Sequence, residues 1–391
     1  MPIVNIFRYW MKVVKICKHK MLKNAIETFF KNNFDELPKT IAVAVSGGID
    51  SLALTFLLDE FCRAKKIKLH AITIDHKMRK GSSDEALALA KIFVKNKIAH
   101  EILAIDAAKI PAKNIEASLR EVRYDLLYGY CTKHKIEHLF LAHHQNDCAE
   151  NFLIRLFRGS QIDGLSKMKE VSQFKKIKLC RPLLDVKKSD LQKYLQGQKI
   201  KWFEDESNLD KKFLRNKIRK FLMNLEESEL VQERIVKFSE NLGEIKEFED
   251  EILLENAKKC LKFNQKGEFL LNLEEYKKIP TKIAQKILSL VLIEISGNIY
   301  KPRFYGLQNF EKEILKLEKG KKKNFYGCMA KIDKNSKNLL IYREENSPQK
   351  LTQNFDEKTQ IIDGRFLQKK SMNKPYKFYF RTILGRIFDS K

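Results

Sequence analysis

The stretch from residue 41 to residue 158 alternates short apolar runs with longer segments of helical period. Four runs are largely apolar or β-branched, as strands buried on both faces of a sheet should be: Ile41–Val45, Leu69–Ile74, His100–Ile105 and His138–Ala142. Apolar residues at spacings of three and four predict covering helices at Leu52–Ala64, Asp84–Lys95 and Ile115–Cys131. Repeated βα units of this kind predict an α/β fold with a doubly wound parallel sheet.

Beyond residue 200 the pattern changes, and helical spacing predominates. Helices are predicted within Trp202–Leu222, along the charged segment Glu226–Glu255 and around the apolar segment Ile283–Ile295. Strands are predicted near Asn324–Ile332 and Leu339–Arg343. We therefore expect an N-terminal extension at 1–35, an α/β domain at 36–225, a helical linker and accessory domain at 226–310, and a smaller, basic domain at 311–391, the last completing an α+β C-terminal region.

Polar residues follow three of the predicted strands directly. The first strand runs into Ser46-Gly47-Gly48, the second into Asp75-His76 and the fourth into His143-His144. Because open parallel sheets bind ligands beyond the carboxyl ends of their strands, we expect these residues to gather at one ligand-binding edge. Packing at a strand end without a ligand is the alternative for the two histidines.

The segment Ser46-Gly47-Gly48-Ile49-Asp50-Ser51 lies between an apolar strand and an apolar helix. The glycines let the backbone approach an anion, the start of the helix offers N–H groups and a positive dipole end, and the serines add hydroxyl donors. The segment lacks the Gly-Lys-Ser/Thr of the Walker loop and the three glycines of the dinucleotide fingerprint. The pattern indicates a phosphate-binding loop of another kind, with a glycine-rich turn that binds nothing as the alternative.

The charge balance adds a candidate partner. The 391 residues include 76 Lys and Arg against 50 Asp and Glu, which gives a formal net charge of +26. This excess indicates a polyanion, and nucleic acid is favoured over a membrane because no segment approaches the ~20 apolar residues of a membrane span. A lysine bias in an AT-rich genome is an alternative source of part of the charge.

Cysteine usage and the N-terminus exclude some classes of protein. The seven cysteines form no Cys-x-x-Cys pair, which disfavours a disulfide framework and a zinc ribbon and favours a reducing cytoplasm. The first twenty residues are basic and partly apolar, but Lys12 and Lys15 interrupt the apolar run before it reaches the length of a signal peptide. We expect an amphipathic surface helix or an upstream start codon there and assign it no function.

The SGGxDS motif at residues 46–51 resembles the PP-loop of the ATP pyrophosphatase superfamily, whose members split ATP into an adenylate and pyrophosphate. The resemblance implies a Rossmann-like, adenylating PP-loop domain. A carboxylate beside phosphates is repulsive unless Mg²⁺ lies between them, so Asp50 is expected to coordinate Mg²⁺ while the other five residues of the loop contact the phosphates of ATP. An early-turn residue favoured by the helix dipole is the alternative for Asp50.

Further motifs, in order along the chain, resemble those of tRNA(Ile)-lysidine synthetases. They are Asp75-His76-Lys77-Met78-Arg79, Asn114-Ile115-Glu116-Ala117 with Leu119-Arg120 and Arg123-Tyr124, Ala142-His143-His144 with Asp147 and Glu150, Arg181-Pro182-Leu183-Leu184, and Glu204-Asp205-Glu206-Ser207-Asn208 with Arg215-Asn216 and Ile218-Arg219. Two positions depart from the family pattern: Asn146 stands in place of the first Asp of an Asp-Asp pair, and Asn151 in place of a Thr.

The resemblance implies an ATP-dependent ligase. Such an enzyme adenylates the wobble cytidine in the CAU anticodon of tRNA(Ile) and joins free L-lysine to it, forming lysidine and releasing AMP and pyrophosphate. The implied catalytic residues are Asp50, Asp147, Glu150 and Arg215. The implied ATP-binding residues are the six of the loop together with Asp75, His76, Arg79, His143 and His144.

The carboxylates of Asp147 and Glu150, three residues apart on one helix face, suit a cationic substrate such as lysine. A solvated pair on a helix surface is the alternative. A lysine ε-amine with an ordinary pKa near 10.4 must also lose a proton before it can attack, which a carboxylate or a dry site can assist. The expected partners are tRNA(Ile), free lysine and, as one option, a second copy of the chain.

The sequence alone leaves two other functions possible. A tRNA base thiolase with the same loop also adenylates a base, but such enzymes usually carry paired cysteines, and this sequence has none. An RNA-binding protein in which ATP only switches conformation is the second; it would bind RNA and ATP without releasing pyrophosphate.

Overall fold

The computed structural model describes residues 19–75, 82–105, 115–203, 214–264, 267–298, 300–333, 338–344 and 382–388, and four short strands between 353 and 378. Two compact units divide the chain, Met1–Gly243 and Glu244–Lys391. Each unit has its own hydrophobic core. The boundaries of the four segments expected from the sequence stay predictions.

A six-stranded sheet forms the centre of the first unit. Its strands in chain order are β1 (Thr40–Val45), β2 (Lys68–Asp75), β3 (Ala99–Ala104), β4 (His138–Phe140), β5 (Val171–Phe174) and β6 (Ile177–Cys180). The spatial order is β3-β2-β1-β4-β6-β5, and every neighbouring pair is parallel except β5 with β6. The four predicted strands and the α/β fold class are confirmed, whereas the β5–β6 hairpin had not been predicted.

Helices flank this sheet. They are α1 (residues 19–33), α2 (Ile49–Lys65), α3 (Ser82–Lys95), α4 (Ile115–Lys133), α5 (Gln145–Phe157), α6 (Ile162–Leu165), α7 (Lys188–Gly197) and α8 (Leu214–Met223), followed by α9 (Ser228–Cys260), which continues into the second unit. The predicted helices of the βα repeats, the closing helix α8 and the long charged helix α9 are all present.

The first helix belongs to the core of the first unit. Phe29 and Phe30 of α1 are 2% exposed, and their ring centroids lie 5.8 and 5.4 Å from that of Phe140 in β4. Phe30 also stacks on Phe61 of α2 at 4.3 Å. Buried aromatic side chains contribute large apolar areas, so α1 stabilises the sheet although it precedes the βα repeats.

The chain order of the strands reverses beside β1. The chain runs outward from β1 through β2 to β3 and then crosses back to place β4 on the other side of β1. The loop after β1 and the segment after β4 therefore leave the sheet side by side at the same edge. This is the switch point at which open α/β sheets form their ligand crevice.

The second unit contains an antiparallel five-stranded sheet and three main helices. The sheet has the order β7-β8-β11-β10-β9, formed by β7 (Leu261–Phe263), β8 (Phe269–Leu271), β9 (Lys322–Phe325), β10 (Cys328–Ile332) and β11 (Leu339–Arg343). The helices are α10 (Leu273–Lys278), α11 (Thr281–Ser296) and α12 (Phe304–Ile314), with the short α13 (Gly385–Phe388) near the end. A separate sheet joins β12 (Gln353–Asn354), β13 (Thr359–Ile362), β14 (Phe366–Lys369) and β15 (Lys377–Phe378).

One strand prediction was wrong in this unit. The segment Asn324–Ile332 is two strands, because Tyr326 and Gly327 have φ angles of 59° and 77° and turn the chain between β9 and β10. The first of these strands, β9, begins at Lys322, two residues before the predicted segment. The Nζ of Lys323 is 2.7 Å from Oε1 of Glu313, so this lysine is already paired.

Among the residues described, no helix combines the length and the apolar character needed to cross a membrane.

Candidate active site

The phosphate-binding loop is tied together by its two serines. The backbone N–H of Ser46 donates to Oγ of Ser51 over 3.1 Å, and Oγ of Ser51 donates to the carbonyl of Gly48 over 3.1 Å. Gly48 caps α2 with an extended backbone and no side-chain hydrogen bond. The first N–H groups of α2 thus face the ligand edge without an intrahelical acceptor, which is the arrangement that binds phosphate at helix N-termini.

Gly47 is the position in this loop that only glycine can occupy. Its φ is +85°, and a Cβ built there would lie 3.0 Å from Phe203 and 3.1 Å from Leu89. The backbone N–H of Phe203 also donates to the carbonyl of Gly47 over 3.0 Å. Phe203 therefore fixes the loop from the side, a contact that the sequence did not suggest.

Asp50, in the first turn of α2, has one engaged and one open oxygen. Oδ2 lies 3.4 Å from Nε2 of His144 and 3.9 Å from Nζ of Lys188. Oδ1 is buried and has no hydrogen-bond partner in the part of the chain that the structure describes. A buried oxygen in this state loses solvation without compensation, which is expected where a ligand completes the site.

This open oxygen tests whether the loop suits Mg²⁺. Magnesium prefers hard oxygen ligands and in nucleotide sites takes one or two carboxylates besides phosphate oxygens. Asp50 offers such an oxygen at the N-terminal end of α2, beside the loop. No group of three or more His, Cys, Asp or Glu residues that could hold a metal ion exists among the described residues. The single open carboxylate oxygen of Asp50 fits the one or two carboxylates that nucleotide-bound Mg²⁺ takes.

The two adjacent histidines after β4 have pKa values that are shifted in opposite directions. Burial, assisted by nearby arginines, lowers the pKa of His143 to about 4, although Asp147 acts in the other direction. Burial would also lower the pKa of His144, but the carboxylates of Asp147 and Asp50 outweigh it and raise that pKa. Nδ1 of each ring is buried and unpartnered within the described residues. His143 is thus neutral at pH 7, whereas the pKa of His144 is shifted towards retention of its proton.

Asp147 and Glu150 lie on α5 within a network of arginines from α8. Arg215 donates from Nη2 to Oδ1 of Asp147 over 2.8 Å and from Nε to Oε2 of Glu150 over 2.9 Å. Arg219 donates to both oxygens of Glu150, over 2.7 and 3.1 Å. Glu150 is only 3% exposed, so its charge is almost entirely met by arginine.

Asp147 links this network to the ligand edge. Its Oδ2 accepts a hydrogen bond from the backbone N–H of His144 over 3.1 Å and lies 3.5 Å from Nε2 of the same residue. Burial alone would raise the pKa of Asp147, but His144 and Arg215 outweigh it and lower the pKa. Asp147 is therefore a stable anion that orients one histidine and one arginine.

The other predicted site residues fall into two groups. Asp75 ends β2, is 6% exposed and accepts a hydrogen bond from Oγ of Ser83 over 2.7 Å. His76 and Arg79 lie outside the described residues, as do Asn114 and the segment 204–213. The structure thus brings together the loop, His143, His144, Asp147, Glu150 and Arg215, while the placement of His76 and Arg79 stays a prediction.

Three residues at this site were not chosen from the sequence: Lys188, Phe203 and Arg219. Lys188 begins α7 and approaches Asp50, yet in the sequence it is one of many lysines. Arg219 lies four residues after Arg215, so the helical spacing of these two arginines could have indicated a shared acidic partner.

Asn146, where the family pattern has Asp, connects three elements. Its Nδ2 donates to Oε1 of Gln232 in α9 over 2.7 Å, and its Oδ1 accepts from the backbone N–H of Lys188 over 3.1 Å. A side chain that both donates and accepts is needed for this pair of bonds. The departure from the family pattern therefore has a structural role, which is to hold the start of α7 against α5.

The chain was compared with known proteins. A PP-loop domain profile matches residues 18–226. A tRNA(Ile)-lysidine synthase from Wolbachia pipientis wMel is 34% identical over 330 residues, covering 83% of this chain and 76% of that protein. Another from Rickettsia typhi is 35% identical over 338 residues, covering 86% and 76%. The chain belongs to the tRNA(Ile)-lysidine synthase family. The resemblance inferred from the motifs is thereby confirmed.

Solved structures add a statement about the fold. A U34-tRNA thiolase from Methanococcus maripaludis superposes with a TM-score of 0.50 at 20% identity, covering 58% of this chain and 80% of that chain. At this identity the similarity concerns the fold alone. It agrees with the PP-loop architecture of the first unit, as expected for a member of the tRNA(Ile)-lysidine synthase family.

The cysteines in the described parts of the chain are poorly suited to sulfur transfer. The six cysteines in the described parts of the chain are free and buried. Burial raises the pKa of five of them to about 12, so these thiols stay protonated at neutral pH. Sulfur transfer requires a thiolate or a cluster ligand, and a protonated, enclosed thiol serves poorly as either.

Proposed function

We propose that this protein is a tRNA(Ile)-lysidine synthase. It uses ATP to adenylate the exocyclic carbonyl oxygen of the wobble cytidine in the CAU anticodon, and the ε-amine of free L-lysine then displaces AMP to form lysidine. The observation that carries the proposal is the meeting of the phosphate loop, Asp50 and His144 at the switch point of the sheet, in a chain related to these enzymes along most of its length.

The first step needs the triphosphate held in line with the cytidine oxygen. The N–H groups at the start of α2 would bind the phosphates, joined by the hydroxyls of Ser46 and Ser51 once these turn from their bonds within the loop, and Asp50 would hold Mg²⁺. The metal, when bound, offsets the negative charge on the phosphates and on the departing pyrophosphate. Lys188 supplies further positive charge next to Asp50, and the raised pKa of His144 favours retention of a proton on its ring there. Together these groups stabilise the charge that develops in the transition state.

The second step needs lysine to arrive and lose a proton. The sequence suggests that Asp147 and Glu150 receive the lysine ammonium. Both carboxylates are occupied by arginine in the free protein, so a lysine must compete with Arg215 for Asp147. We infer that Asp147 is the one that contacts lysine, because its side chain is 14% exposed and that of Glu150 is 3% exposed. Neutral His143 can accept a hydrogen bond from the amine at pH 7, while the proton itself leaves to solvent.

The deciding experiment incubates the protein with ATP, radiolabelled lysine and either tRNA(Ile) with a CAU anticodon or the same tRNA carrying UAU, which lacks the wobble cytidine. Lysine incorporation into the first tRNA alone, with one AMP and one pyrophosphate released per lysine, is the expected result. Pyrophosphate release without lysine attachment would contradict the proposed second step. Tight binding of ATP and RNA with no pyrophosphate release would favour the conformational switch.

A kinetic test separates the two carboxylates. Asp147→Asn should raise the KM for lysine by roughly tenfold, the effect of about 1.4 kcal/mol, with a smaller change in the KM for ATP. Glu150→Gln should alter both constants together, because Glu150 acts through Arg215. An equal rise of the KM for lysine and the KM for ATP in the Asp147→Asn enzyme would place Asp147 on the adenylate side of the reaction.

A homodimer stays a prediction that light scattering can check.

A further inference from the structure

The second unit carries a surface that the adenylation site does not use, formed by Tyr300, Lys301, Arg303, Phe304 and Tyr305. Aromatic and basic residues alternate in this segment, and no acidic residue occurs between Ser296 and Phe310. The side chains of Tyr300 and Tyr305 are 82% and 80% exposed, and that of Phe304 is 48% exposed. We call this segment the aromatic-basic surface.

Three large aromatic rings are exposed within six residues of the chain, and two of them are in contact. Phe304 and Tyr305 pack edge to face, with ring centroids 5.8 Å apart. Lys282, in the first turn of α11, places Nζ 5.2 Å from the centroid of the Phe304 ring. The first turns of α11 and α12 thus meet here, and their positive dipole ends add to the charge of Lys282, Lys301 and Arg303.

The backbone beneath these rings is fixed. A Cβ at Gly306 would lie 2.8 Å from the ring of Phe325 in β9, so the first turn of α12 sits directly on the sheet. Phe325 stacks in turn on Phe310 at 5.3 Å. The hydroxyl of Tyr326 donates to the carbonyl of Tyr300, which ties the segment to the β9–β10 turn. The rings are therefore presented on a rigid support, which limits the entropy lost when they bind a partner.

We propose that the aromatic-basic surface binds unpaired nucleotides of the tRNA, with bases stacked on Tyr300 and Tyr305 and phosphates near Arg303 and Lys282. Flat aromatic rings interleaved with cations match alternating bases and phosphates, and stacking tolerates any base. The segment carries two cations, Lys301 and Arg303, and no acidic residue, which disfavours a protein interface of mixed charge. The inference deepens the proposed function, because it takes RNA as the substrate.

The test measures how the full-length protein binds a fluorescent single-stranded RNA and a duplex of equal length. The double variant Tyr300→Ala/Tyr305→Ala should bind the single strand roughly fivefold to 150-fold more weakly for each stacked base lost. Binding to the duplex should change little, because paired bases cannot stack on the rings. The double variant Tyr300→Phe/Tyr305→Phe keeps the rings and should bind both RNAs as the wild type does.

A matched control is Phe248→Ala. Phe248 is 65% exposed on α9 but lies between Glu247 and Glu249, so its loss should not affect RNA binding. Arg303→Gln should reduce the slope of log affinity against log salt for the single strand by about 0.7, the contribution of one phosphate. The tyrosine variants should leave that slope unchanged, since they remove no charge.

Three results would overturn the proposal: wild-type affinity in the alanine double variant, an equal loss for single strand and duplex, or an equal loss in the phenylalanine double variant. The binding assay contains neither ATP nor lysine. If the wild-type protein attaches no lysine to tRNA while its single-strand affinity depends on the two tyrosine rings, the proposed function fails and the assignment of this surface stands.

Discussion

Asp50 and Glu150, two carboxylates of the first unit, differ in how their charges are met. Around Asp50 the contacts are loose, at 3.4 and 3.9 Å, and Oδ1 of Asp50 has no partner among the described residues. Around Glu150 the contacts are 2.7 to 3.1 Å, and both oxygens accept hydrogen bonds from arginine. Contacts within the chain satisfy Glu150, whereas Asp50 keeps one oxygen open to a ligand. This open oxygen distinguishes Asp50 from Glu150.

The largest expected effect comes from changing Asp50, whose Oδ1 has no partner among the described residues. Asp50→Asn keeps the size of the side chain but removes the charge that holds a cation, so pyrophosphate release should fall by about 10²- to 10³-fold, the effect of several kcal/mol in transition-state stabilisation. The free energy of unfolding should hardly change. Stopped assays of pyrophosphate at saturating ATP and tRNA measure the loss. Release at the wild-type rate would remove Asp50 from the chemistry.

A change of Glu150 should lower the stability of the fold more than a change of Asp50 does. Glu150→Gln leaves Arg215 and Arg219 without their shared anion, and breaking one side of a buried ion pair costs about 3 kcal/mol of unfolding free energy. Urea denaturation compares this variant with Asp50→Asn under identical conditions. If both variants unfold at the wild-type urea concentration, the arginine network does not support the fold.

The sequence predicted the parallel sheet because its strands are continuous apolar runs. It predicted a phosphate-binding loop from Ser46 to Ser51 because glycines, serines and the start of a helix together suit phosphate binding. It did not reveal Phe203 against Gly47 or Lys188 beside Asp50, since these contacts join segments more than 130 residues apart and nothing local marks them. The split of Asn324–Ile332 was missed because Tyr326 adopts a positive φ without being glycine. Motif resemblance named Asp147 and Glu150, but only the structure shows how differently arginine surrounds them.

The two histidines offer a finer comparison by titration. His143 should titrate near pH 4 and His144 above the ordinary histidine pKa of about 6.5. The lowered pKa of His143 reduces stability as the pH falls from about 6.5 towards 4. The raised pKa of His144 contributes stability below about pH 6.5 that is lost as the pH rises through its folded pKa. NMR of the imidazole resonances measures both.

Asp50→Asn sharpens this titration. Removing the Asp50 charge should lower the pKa of His144, because Asp50 is one of the two carboxylates that raise it, and should leave that of His143 unchanged. A His144 pKa that does not respond would mean that Asp147 alone sets its charge.

The smallest effect is expected at Asn146. Asn146→Asp loses the hydrogen bond donated to Gln232 but keeps the acceptor for the backbone of Lys188. The unfolding free energy should fall by about 1 kcal/mol, the typical net contribution of one hydrogen bond, with catalysis nearly intact. Urea denaturation and lysine incorporation together check this. A large catalytic loss with unchanged stability would assign Asn146 a direct role.

The pairing of β1 with β4 also affects how the protein folds during its synthesis. Ala42 pairs with Leu139, and Val43 with Phe140, so the strand that bears the phosphate loop waits for a partner almost a hundred residues later in the chain. Arg215, which anchors Asp147, is synthesised later still. Because domains fold as they leave the ribosome at about 5–20 residues per second, the loop exists for several seconds before His144 can join it. A nascent chain halted before β4 would therefore contain the whole glycine-rich motif yet lack a competent nucleotide site.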